Sequence, residues 1–562
     1  MQSHKILRIP SFNTHLQNTL SRNLKVSKIL SQILINRGIN TSSEAQAFLN
    51  LNLNDLLDPF MFKDMHKAVG RIGEAIRKKE KVLIFGDYDV DGITSVVILK
   101  EIFLKAGMDV IHYIPHRIKE GYGLTRTILQ TVKKENIKLL ITVDCGTSNR
   151  EEIEELSRHG VDTIITDHHE PQGKDIPKAY SIINPKIKES NYNFRELAGV
   201  GVAYKLAQAF TGKSLEAELD LVTLGTIADV VPLIGENRII AKEGLKVLAK
   251  TKRPGIRALI DSSRIGNRKF NSTFVGFILG PRLNASGRMS TAETSLNLLM
   301  SHNLIQAKEL ALLLEQHNRN RQKIEAKIMQ EAEDLINKEI NFKDHKVIVV
   351  AKEDWHQGVL GIVASKLADR FYRPTIVISL DENLCKGSGR SIKNFHLFHA
   401  LKECRQFLHA FGGHAHAAGL LITRNSIEDF KNSINRFAHD KLTFEDLLPS
   451  LDVDMEVNLS DLTETVVQEL ERLEPFGTGN PEPLFFTRTL KLKSEPQFLS
   501  RETLKFWVSD GVTNMQAIGF GMSSLGDNLL QAKSFDLVYT PRIDNWQLDT
   551  SIILEVKDIF FK

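Results

Sequence analysis

The acidic loop GDYDVDG, residues 86–92, holds the residue types best suited to chemistry in this chain. Asp87, Asp89 and Asp91 place three carboxylates within five residues. Carboxylates this close repel one another unless a cation lies between them, and hard divalent cations prefer carboxylate oxygen as a ligand. A solvated acidic turn is the alternative. The spacing therefore favours a divalent-metal site in this loop.

The loop follows the first of several apolar runs that predict buried strands. These runs lie at residues 82–85, 110–114, 139–143, 161–165 and 180–183, with helical stretches between them. A strand and a helix alternating in this way are typical of parallel βαβ units. The sequence therefore predicts a doubly wound α/β lobe, whose ligands bind at the carboxyl ends of its strands.

Further acids and histidines follow two of the later runs. Asp144 comes just after the third run, and Asp167, His168 and His169 follow the fourth. An Asp after a strand is more often a helix N-cap, and adjacent histidines often only pack. However, uncompensated carboxylates gathered at one partly buried rim would be costly, so the set as a whole indicates a metal. The side chains expected at this rim are Asp89, Asp91, Asp144, His168 and His169.

Asp229 is a further candidate ligand. It follows residues 216–228, which have the apolar spacing of a helix, and Pro232 lies just beyond. An acid at a helix C-terminus faces the negative end of the helix dipole, which is unfavourable unless a cation is close. Asp229 is therefore expected to reach the same rim.

In this order, GDYDVDG, VDCG, TDHH and ADVVPL resemble the four acidic and histidine motifs of the DHH phosphoesterase superfamily. Within it, the chain more closely resembles the RecJ single-stranded-DNA exonucleases, and this likeness runs over nearly its whole length. The motifs that carry the closer resemblance are HRIKEGYGLT (116–125), GPRLNASGRM (280–289), WHQGVLGIVASKL (355–367), GSGRSI (387–392), FGGHAHAAGL (411–420) and LEPFGTGNPEP (473–483).

The resemblance implies a two-metal site for Mn²⁺ or Mg²⁺. One ion would be held by Asp89 and Asp144. The ligands implied for the other ion are Asp91, Asp144, His168 or His169, and Asp229. Asp144 would bridge the two ions, and Asp87 would either bind an ion or orient a ligand. Phe85 stands where smaller DHH proteins carry a histidine, which implies weaker binding of the first ion.

A second α/β lobe is predicted after a long amphipathic connecting helix. That helix carries Asn318, Arg319 and Arg321, which we expect mainly on a solvated face. In the second lobe, GSGR and FGGH are interpreted as glycine-rich loops whose N–H groups face an anion, with Arg390 and His414 beside them. The resemblance implies further contacts near the scissile phosphate, from Arg282, Asn284 and Arg288.

The last region predicts a small barrel. After a strand at residues 451–457 and a helix that ends near residue 473, short alternating segments follow. The resemblance implies an OB-like fold that binds nucleic acid. Its aromatics are suited to base stacking, although we expect most of them in the core. These aromatics are Phe506, Trp507, Phe520, Tyr539 and Trp546.

Composition sets the broad limits. The chain has 562 residues, which favours about three or four domains. A net charge of +4 permits a polyanionic partner without requiring one. Three distant cysteines without a C-x-x-C motif argue against disulfides and zinc. The absence of a signal-like or membrane-spanning stretch predicts a cytoplasmic protein with no membrane partner.

We predict five regions and one main function. The regions are an N-terminal helical segment (1–75), a DHH catalytic domain (76–300), the connecting helix (301–341), a DHHA1-like substrate-binding domain (342–450) and an OB-like nucleic-acid-binding domain (451–562). The resemblance implies a monomeric, metal-dependent 5′–3′ exonuclease that degrades single-stranded DNA to mononucleotides in recombination and repair. The expected partner is single-stranded DNA, and a single-strand-binding protein and a helicase are candidate protein partners that the sequence does not reveal.

Two other functions stay open at this point. One is a DHH phosphodiesterase for short oligonucleotides or cyclic dinucleotides, which would not need the barrel or the N-terminal segment. The other is a non-catalytic RecJ-like replication scaffold, which would not need a full set of ligands.

Overall fold

The computed structural model describes residues 5–171, 176–264, 270–499, 502–544 and 551–562. The strands are β1 (Ile6–Arg8), β2 (Val82–Gly86), β3 (Val110–Tyr113), β4 (Leu139–Val143), β5 (Asp162–Thr166), β6 (Ser181–Ile183), β7 (Ile348–Glu353), β8 (Thr375–Leu380), β9 (Cys385–Arg390), β10 (Leu408–Gly413), β11 (Ala417–Ile422), β12 (Ser450–Asp452), β13 (Met455–Glu456), β14 (Phe485–Leu492), β15 (Gln497–Leu499), β16 (Thr503–Ser509), β17 (Asn514–Gly519), β18 (Phe535–Asp544) and β19 (Ser551–Phe561).

The helices are α1 (Thr14–Leu24), α2 (Lys28–Asn36), α3 (Ser42–Asn50), α4 (Met65–Lys78), α5 (Val90–Lys105), α6 (Ile128–Lys134), α7 (Arg150–Arg158), α8 (Gly199–Thr211), α9 (Leu219–Ala228), α10 (Gly235–Leu248), α11 (Pro254–Ser262), α12 (Ser272–Phe274), α13 (Gly280–Met289), α14 (Glu293–Met300), α15 (Leu304–Glu339), α16 (Leu360–Phe371), α17 (Leu397–Glu403), α18 (Ile427–Lys441), α19 (Glu464–Glu471) and α20 (Gly526–Gln531). A π-helical segment, Val275–Leu279, joins α12 to α13.

The described chain forms two compact units. The first contains residues 57–231 and 243–449, and the second contains residues 5–56, 232–242 and 450–562. Within the predicted N-terminal segment, α1 to α3 belong to the second unit and α4 belongs to the first. No helix among the described residues is long and apolar enough to cross a membrane.

The first sheet of the first unit is parallel and has the strand order β3-β2-β4-β5-β6. All residues of β2 and β4 are buried, as expected for strands covered on both faces. Their runs of Val, Leu and Ile are therefore nearly continuous rather than alternating. Because the strands are parallel, their carboxyl ends lie at one edge of the sheet, and the predicted doubly wound lobe is confirmed.

The second sheet of this unit has the order β10-β11-β9-β8-β7. It corrects one sequence interpretation, because GSGR lies in β9 and FGG lies in β10, so neither motif is a loop. A Cβ at Gly387 would come within 2.8 Å of Leu420, and one at Gly389 within 2.8 Å of Leu397. Close packing against these leucines explains the two glycines in β9, which in the sequence resemble a turn signal.

Helix α15 connects the two sheets of the first unit. Its predicted solvated face is only partly correct. Arg319 is exposed, but Asn318 is 2% exposed and Arg321 is 9% exposed. The guanidinium of Arg321 donates to Glu325 at 2.6 Å and to Asn318 at 3.0 Å. These hydrogen bonds offset the burial of the two side chains, although Arg321 Nε has no hydrogen-bond partner among the described residues.

The second unit contains the predicted barrel. Its strand order is β13-β14-β18-β19-β17-β16-β15, and a further pairing of β14 with β16 closes the ring. Phe506 and Tyr539 are buried in its core, whereas Trp507 and Phe520 are 44% and 59% exposed. Trp546 lies outside the described residues.

Candidate metal centre and its cleft

The acidic loop connects β2 to α5 at the carboxyl edge of the first sheet. Asp89 is the N-cap of α5, and its Oδ1 accepts hydrogen bonds from the N–H groups of Asp91 at 2.9 Å and Gly92 at 3.1 Å. Asp91 lies in the first turn of α5, where its oxygens accept from Gly199 and Val200 at 2.7 Å each. The start of α8 therefore fixes the carboxylate of Asp91.

Asp144 follows β4 with an unusual backbone. Its φ is +60°, a left-handed conformation that costs about 1–3 kcal/mol in a residue other than glycine and is typical of functional sites. Its N–H donates to the Thr166 carbonyl at 2.9 Å. A Cβ at Gly199 would lie only 2.7 Å from Asp144 Oδ1, so the glycine leaves room for this carboxylate.

His168 faces the carboxylates. Its Nε2 lies 3.1 Å from Asp144, 3.6 Å from Asp229 and 3.8 Å from Asp91. Asp229 reaches this point from the C-cap of α9. Burial, followed by the positive charge of His169, lowers the pKa of His168 to about 3. The neutral imidazole is the form that binds metals.

His169 has different neighbours. Its Nδ1 lies 2.8 Å from Asp167 Oδ1 and 3.0 Å from the hydroxyl oxygen of Tyr122. Asp167 also accepts hydrogen bonds from the N–H groups of Thr147, His168 and His169. Although burial opposes its charge, these donors hold the pKa of Asp167 well below its ordinary value. Asp167 therefore fixes the two histidines rather than pointing at the other acids.

The rim residues fall into overlapping groups whose ligand atoms lie within 4.8 Å of one another: Asp87, Asp89 and Asp144; Asp91, His168 and Asp229; and Asp144, His168 and His169. Asp144 and His168 each belong to two of the groups. The structure thus brings together every metal ligand predicted from the sequence.

The burial and crowding of these acids fit a metal site. Burial raises the pKa of Asp91 to about 7 and the pKa values of Asp87, Asp144 and Asp229 well above their ordinary range. Repulsion from a neighbouring acid, Asp89 or Asp91, adds to the effect of burial. Among the described residues, Asp87 Oδ1 is buried without a hydrogen-bond partner, and Asp144 Oδ1 and His168 Nε2 are buried 3.1 Å apart with no other hydrogen-bond partner. Divalent cations would satisfy these atoms.

A cleft of about 1170 Å³ extends from the rim to the second sheet. On its second-sheet side, Lys386, Ser388 and Arg390 alternate along β9 and so share one face. Arg117 and Arg288 line the same cleft. We call Arg117, Arg288, Lys386 and Arg390 the basic wall.

The cations of the basic wall affect one another. Burial, followed by the charges of Arg117, Arg321 and Arg390, lowers the pKa of Arg288 to about 9. Burial and then Arg117 also lower the pKa values of Lys386 and Arg390. Such a group of partly desolvated cations is suited to binding an anion.

Three known domain families match separate stretches of the chain. Residues 81–226 match the DHH family, N-terminal domain, residues 344–440 match the DHHA1 domain, and residues 453–558 match the RecJ OB domain. The single-stranded-DNA-specific exonuclease RecJ of Bacillus subtilis is 39% identical over 96% of this chain and 69% of its own length. The chain belongs to the RecJ family.

Other members of the RecJ family agree with this assignment. RecJ of Haemophilus influenzae is 34% identical over 90% of this chain and 92% of its own length. The crystal structure of Thermus thermophilus RecJ in complex with Mn²⁺ matches this chain with a TM-score of 0.84 at 27% identity, over 100% of this chain and 80% of that one. The predicted family and fold class are both confirmed.

Three of the five predicted substrate contacts line the cleft, and two lie elsewhere in this RecJ-family chain. Arg288, Arg390 and His414 line the cleft. Arg282 instead donates to Glu315 and to the Ile278 carbonyl, at 2.8 Å each. Asn284 accepts a hydrogen bond from the N–H of Val90 at 3.1 Å, so it contacts the backbone of the acidic loop.

Sequence reasoning missed several cleft residues of this RecJ-family chain. Arg117 and Tyr122 belong to HRIKEGYGLT, a motif that indicates the family but does not by itself indicate a cleft position. Lys386 precedes GSGR, and an alternating interpretation of K-G-S-G-R as a strand would have put Lys386 and Arg390 on one face. The signal was present, but the glycines led us to predict a loop.

Proposed function

We propose that this chain is a metal-dependent exonuclease that hydrolyses single-stranded DNA. One observation carries the proposal: Asp89 lines the same cleft as a wall of partly desolvated cations, and its ligand atom lies within 4.8 Å of those of the buried acids Asp87 and Asp144, which have unpartnered oxygens. The acids fit divalent cations and the wall fits a phosphate backbone. The names of the RecJ relatives support single-stranded DNA as the substrate.

The residues of the rim would act as ligands for Mn²⁺ or Mg²⁺. In this proposal Asp89 and Asp144 hold one ion, while Asp91, Asp144, His168 and Asp229 hold the other, and Asp87 stands beside the first. Two such ions would lower the pKa of an attacking water and stabilise the attacking and leaving oxygens of phosphodiester hydrolysis. His169, fixed by Asp167, completes the rim on the side of Tyr122.

The basic wall would orient the substrate. Arg288 and Arg390 offer guanidinium groups that match phosphate oxygens, and Lys386 adds a further positive charge. Ser388 and His414 add polar groups on the same side of the cleft. Holding the strand in this way positions one phosphodiester at the rim, which is the main requirement of phosphoryl-group hydrolysis.

The finer parts of the proposal rest on the family resemblance. They are 5′–3′ polarity, release of mononucleotides, a role in recombination and repair, a cytoplasmic location, a monomeric state, and supply of the strand by a single-strand-binding protein and a helicase. The barrel of the second unit supports a long strand over a dinucleotide, because OB folds track single strands through a charged groove and stacked bases.

Digestion of end-labelled DNA tests the proposal. We expect early release of labelled mononucleotide from the 5′ end of long single strands in the presence of Mn²⁺ or Mg²⁺, and none in the presence of EDTA. Duplex DNA, short oligonucleotides and cyclic dinucleotides serve as competing substrates. Turnover confined to dinucleotides, or binding without turnover, would contradict the proposal.

A further inference from the structure

Residues 115–127, here called the 115–127 loop, contact the metal rim at two points. The guanidinium of Arg117 lies 4.7 Å from the ring centre of Tyr88, which is part of the acidic loop. The hydroxyl of Tyr122 donates to the carbonyl of Asp144 at 3.1 Å and lies 3.0 Å from His169 Nδ1. The loop therefore places one basic-wall residue and one rim contact at the same time.

The second half of this loop is fixed by Leu124, which is buried and exchanges two hydrogen bonds with Asn149, whereas the described residues of the first half have no such core contact from regular structure. The loop leaves β3, which is the edge strand of the first sheet, and it enters α6 without forming a helix or strand of its own. Gly121 and Gly123 have φ values of +85° and +81°, so its backbone turns through left-handed conformations. A segment of this kind loses much conformational entropy when it is ordered.

The carboxylate of Glu120 ties the two ends of the loop together. Its Oε2 accepts hydrogen bonds from the hydroxyl of Tyr113 at 2.6 Å and from that of Thr127 at 3.2 Å. Its Oε1 accepts from the N–H of His116 at 2.7 Å. Tyr113 is the last residue of β3, and Thr127 immediately precedes α6.

These donors also keep Glu120 charged. Although burial favours the neutral acid, the hydrogen bonds from Tyr113, His116 and Thr127 lower its pKa below the ordinary value. Hydrogen bonds to a charged acceptor are stronger than those to a neutral one. A charged Glu120 can therefore act as a clamp, that is, it holds the two ends of the loop together through these hydrogen bonds.

We propose that Glu120 is a positioning residue that holds the 115–127 loop, and with it Arg117 and Tyr122, in place before the substrate binds. The consequence for catalysis rests on the function proposed above, whereas the effect on the loop does not. Without these hydrogen bonds of Glu120, the substrate would have to order the loop on binding. The entropic cost of ordering the loop would then weaken substrate binding.

Steady-state kinetics with single-stranded DNA distinguish a role of Glu120 in positioning the loop from a role in stabilising the fold. We expect Glu120→Ala to lower kcat/KM by on the order of 10- to 100-fold, the range that follows from misplaced groups, with little change in Tm. Glu120→Gln should recover much of the loss, because its amide oxygen still accepts from the His116 N–H. A fall in Tm with unchanged kcat/KM per folded molecule would show a purely structural role and overturn the proposal.

A double-variant comparison tests whether Glu120 acts through Arg117. Arg117→Ala removes one residue that the loop positions, so Glu120→Ala should have a smaller effect in that background than in the parent protein. The same fold-change in both backgrounds would contradict the proposal.

Hydrogen exchange on the full chain without DNA or metal gives a readout that does not depend on nuclease activity. Glu120→Ala should speed amide exchange in peptides that cover residues 115–127, while peptides from β2 and β4 stay unchanged. Glu135→Ala is the matched control. Glu135 accepts a hydrogen bond from Lys81 at 3.0 Å, and this pair lies outside the loop. Unchanged exchange in the loop would refute the proposal.

The proposed function and the role of Glu120 can fail separately. If the parent protein did not hydrolyse DNA, the proposed function would be wrong, but the exchange experiment would still show whether Glu120 holds the loop.

Discussion

The metal rim and the basic wall, which line one cleft, are opposite in charge but share one property. At the rim, burial and repulsion raise the pKa values of acids, and at the wall they lower the pKa values of bases. Both shifts favour loss of charge. Each side therefore lacks a counter-charge, which divalent cations would supply to the first and a phosphate backbone to the second.

Removing the carboxylate of Asp144, which we propose is shared by both ions, should give the largest loss of activity. We expect Asp144→Asn to reduce kcat/KM by on the order of 10³-fold or more, because it removes one member of a catalytic unit. The same change should raise the Tm of the metal-free protein, since Asp144 is buried among other acids. Thermal unfolding in EDTA and nuclease assays in Mn²⁺ measure the two effects. Asp109→Asn, which changes an exposed acid at the other end of the sheet, should alter neither.

A stability profile against pH should distinguish metal-free from metal-bound protein. With raised pKa values, Asp87, Asp91, Asp144 and Asp229 keep protons in the folded state that the unfolded chain has already released. Stability of the metal-free protein should therefore fall as pH rises above the ordinary aspartate pKa, by about 1.4 kcal/mol per retained proton and pH unit, and the contribution of Asp91 should level off above its pKa of about 7. His168, with its lowered pKa, has the opposite effect, but that effect levels off above its ordinary value of 6.5.

Saturating Mn²⁺ should remove this fall, because the bound cations stabilise the ionised acids. Chemical denaturation at several pH values, with EDTA or with Mn²⁺, gives the comparison. Identical profiles in the two conditions would mean that the rim does not bind the metal.

On the other side of the cleft, Arg390→Ala should weaken substrate binding without abolishing hydrolysis. Removing one phosphate contact should raise KM and reduce the slope of log KM against log salt by about 0.7. Titration of KM over a range of salt concentrations measures both. An unchanged slope would show that Arg390 does not bind the DNA backbone.

Arg282→Ala should have the smallest effect on activity and serves as the matched arginine. Its guanidinium is already paired with Glu315 and the Ile278 carbonyl. We expect KM to change by less than about twofold, and the free energy of unfolding to fall by about 1–3 kcal/mol because partners are left unpaired. A rise in KM as large as that of Arg390→Ala would place Arg282 among the substrate contacts.

The rim could be predicted from the sequence because each ligand directly follows a strand or a helix. Asp144 and His168 lie just beyond β4 and β5, and parallel strands deliver such positions to one edge. The same rule placed the acidic loop after β2. The sequence could not predict which of the two histidines faces the acids. That depends on which imidazole is held by Asp167, and the structure shows that it is His169.

The basic wall was only partly predictable, because it is assembled from distant pieces. Arg117 comes from a loop after β3, Arg288 from α13, and Lys386 and Arg390 from β9. No periodicity links such segments. Moreover, glycines that serve close packing in β9 look like turn residues in the sequence, and the polar residues on α15 look solvated although they pair with one another.

The left-handed backbone at Asp144 limits which inactive variant can serve to trap bound DNA for crystallography. Asparagine adopts this conformation more readily than other residues with a side chain, whereas alanine gains nothing that offsets its strain. Asparagine also fills the space that Gly199 leaves for the native carboxylate. Asp144→Asn should therefore preserve the shape of the rim while removing its charge, and it is the better choice for capturing the intact substrate.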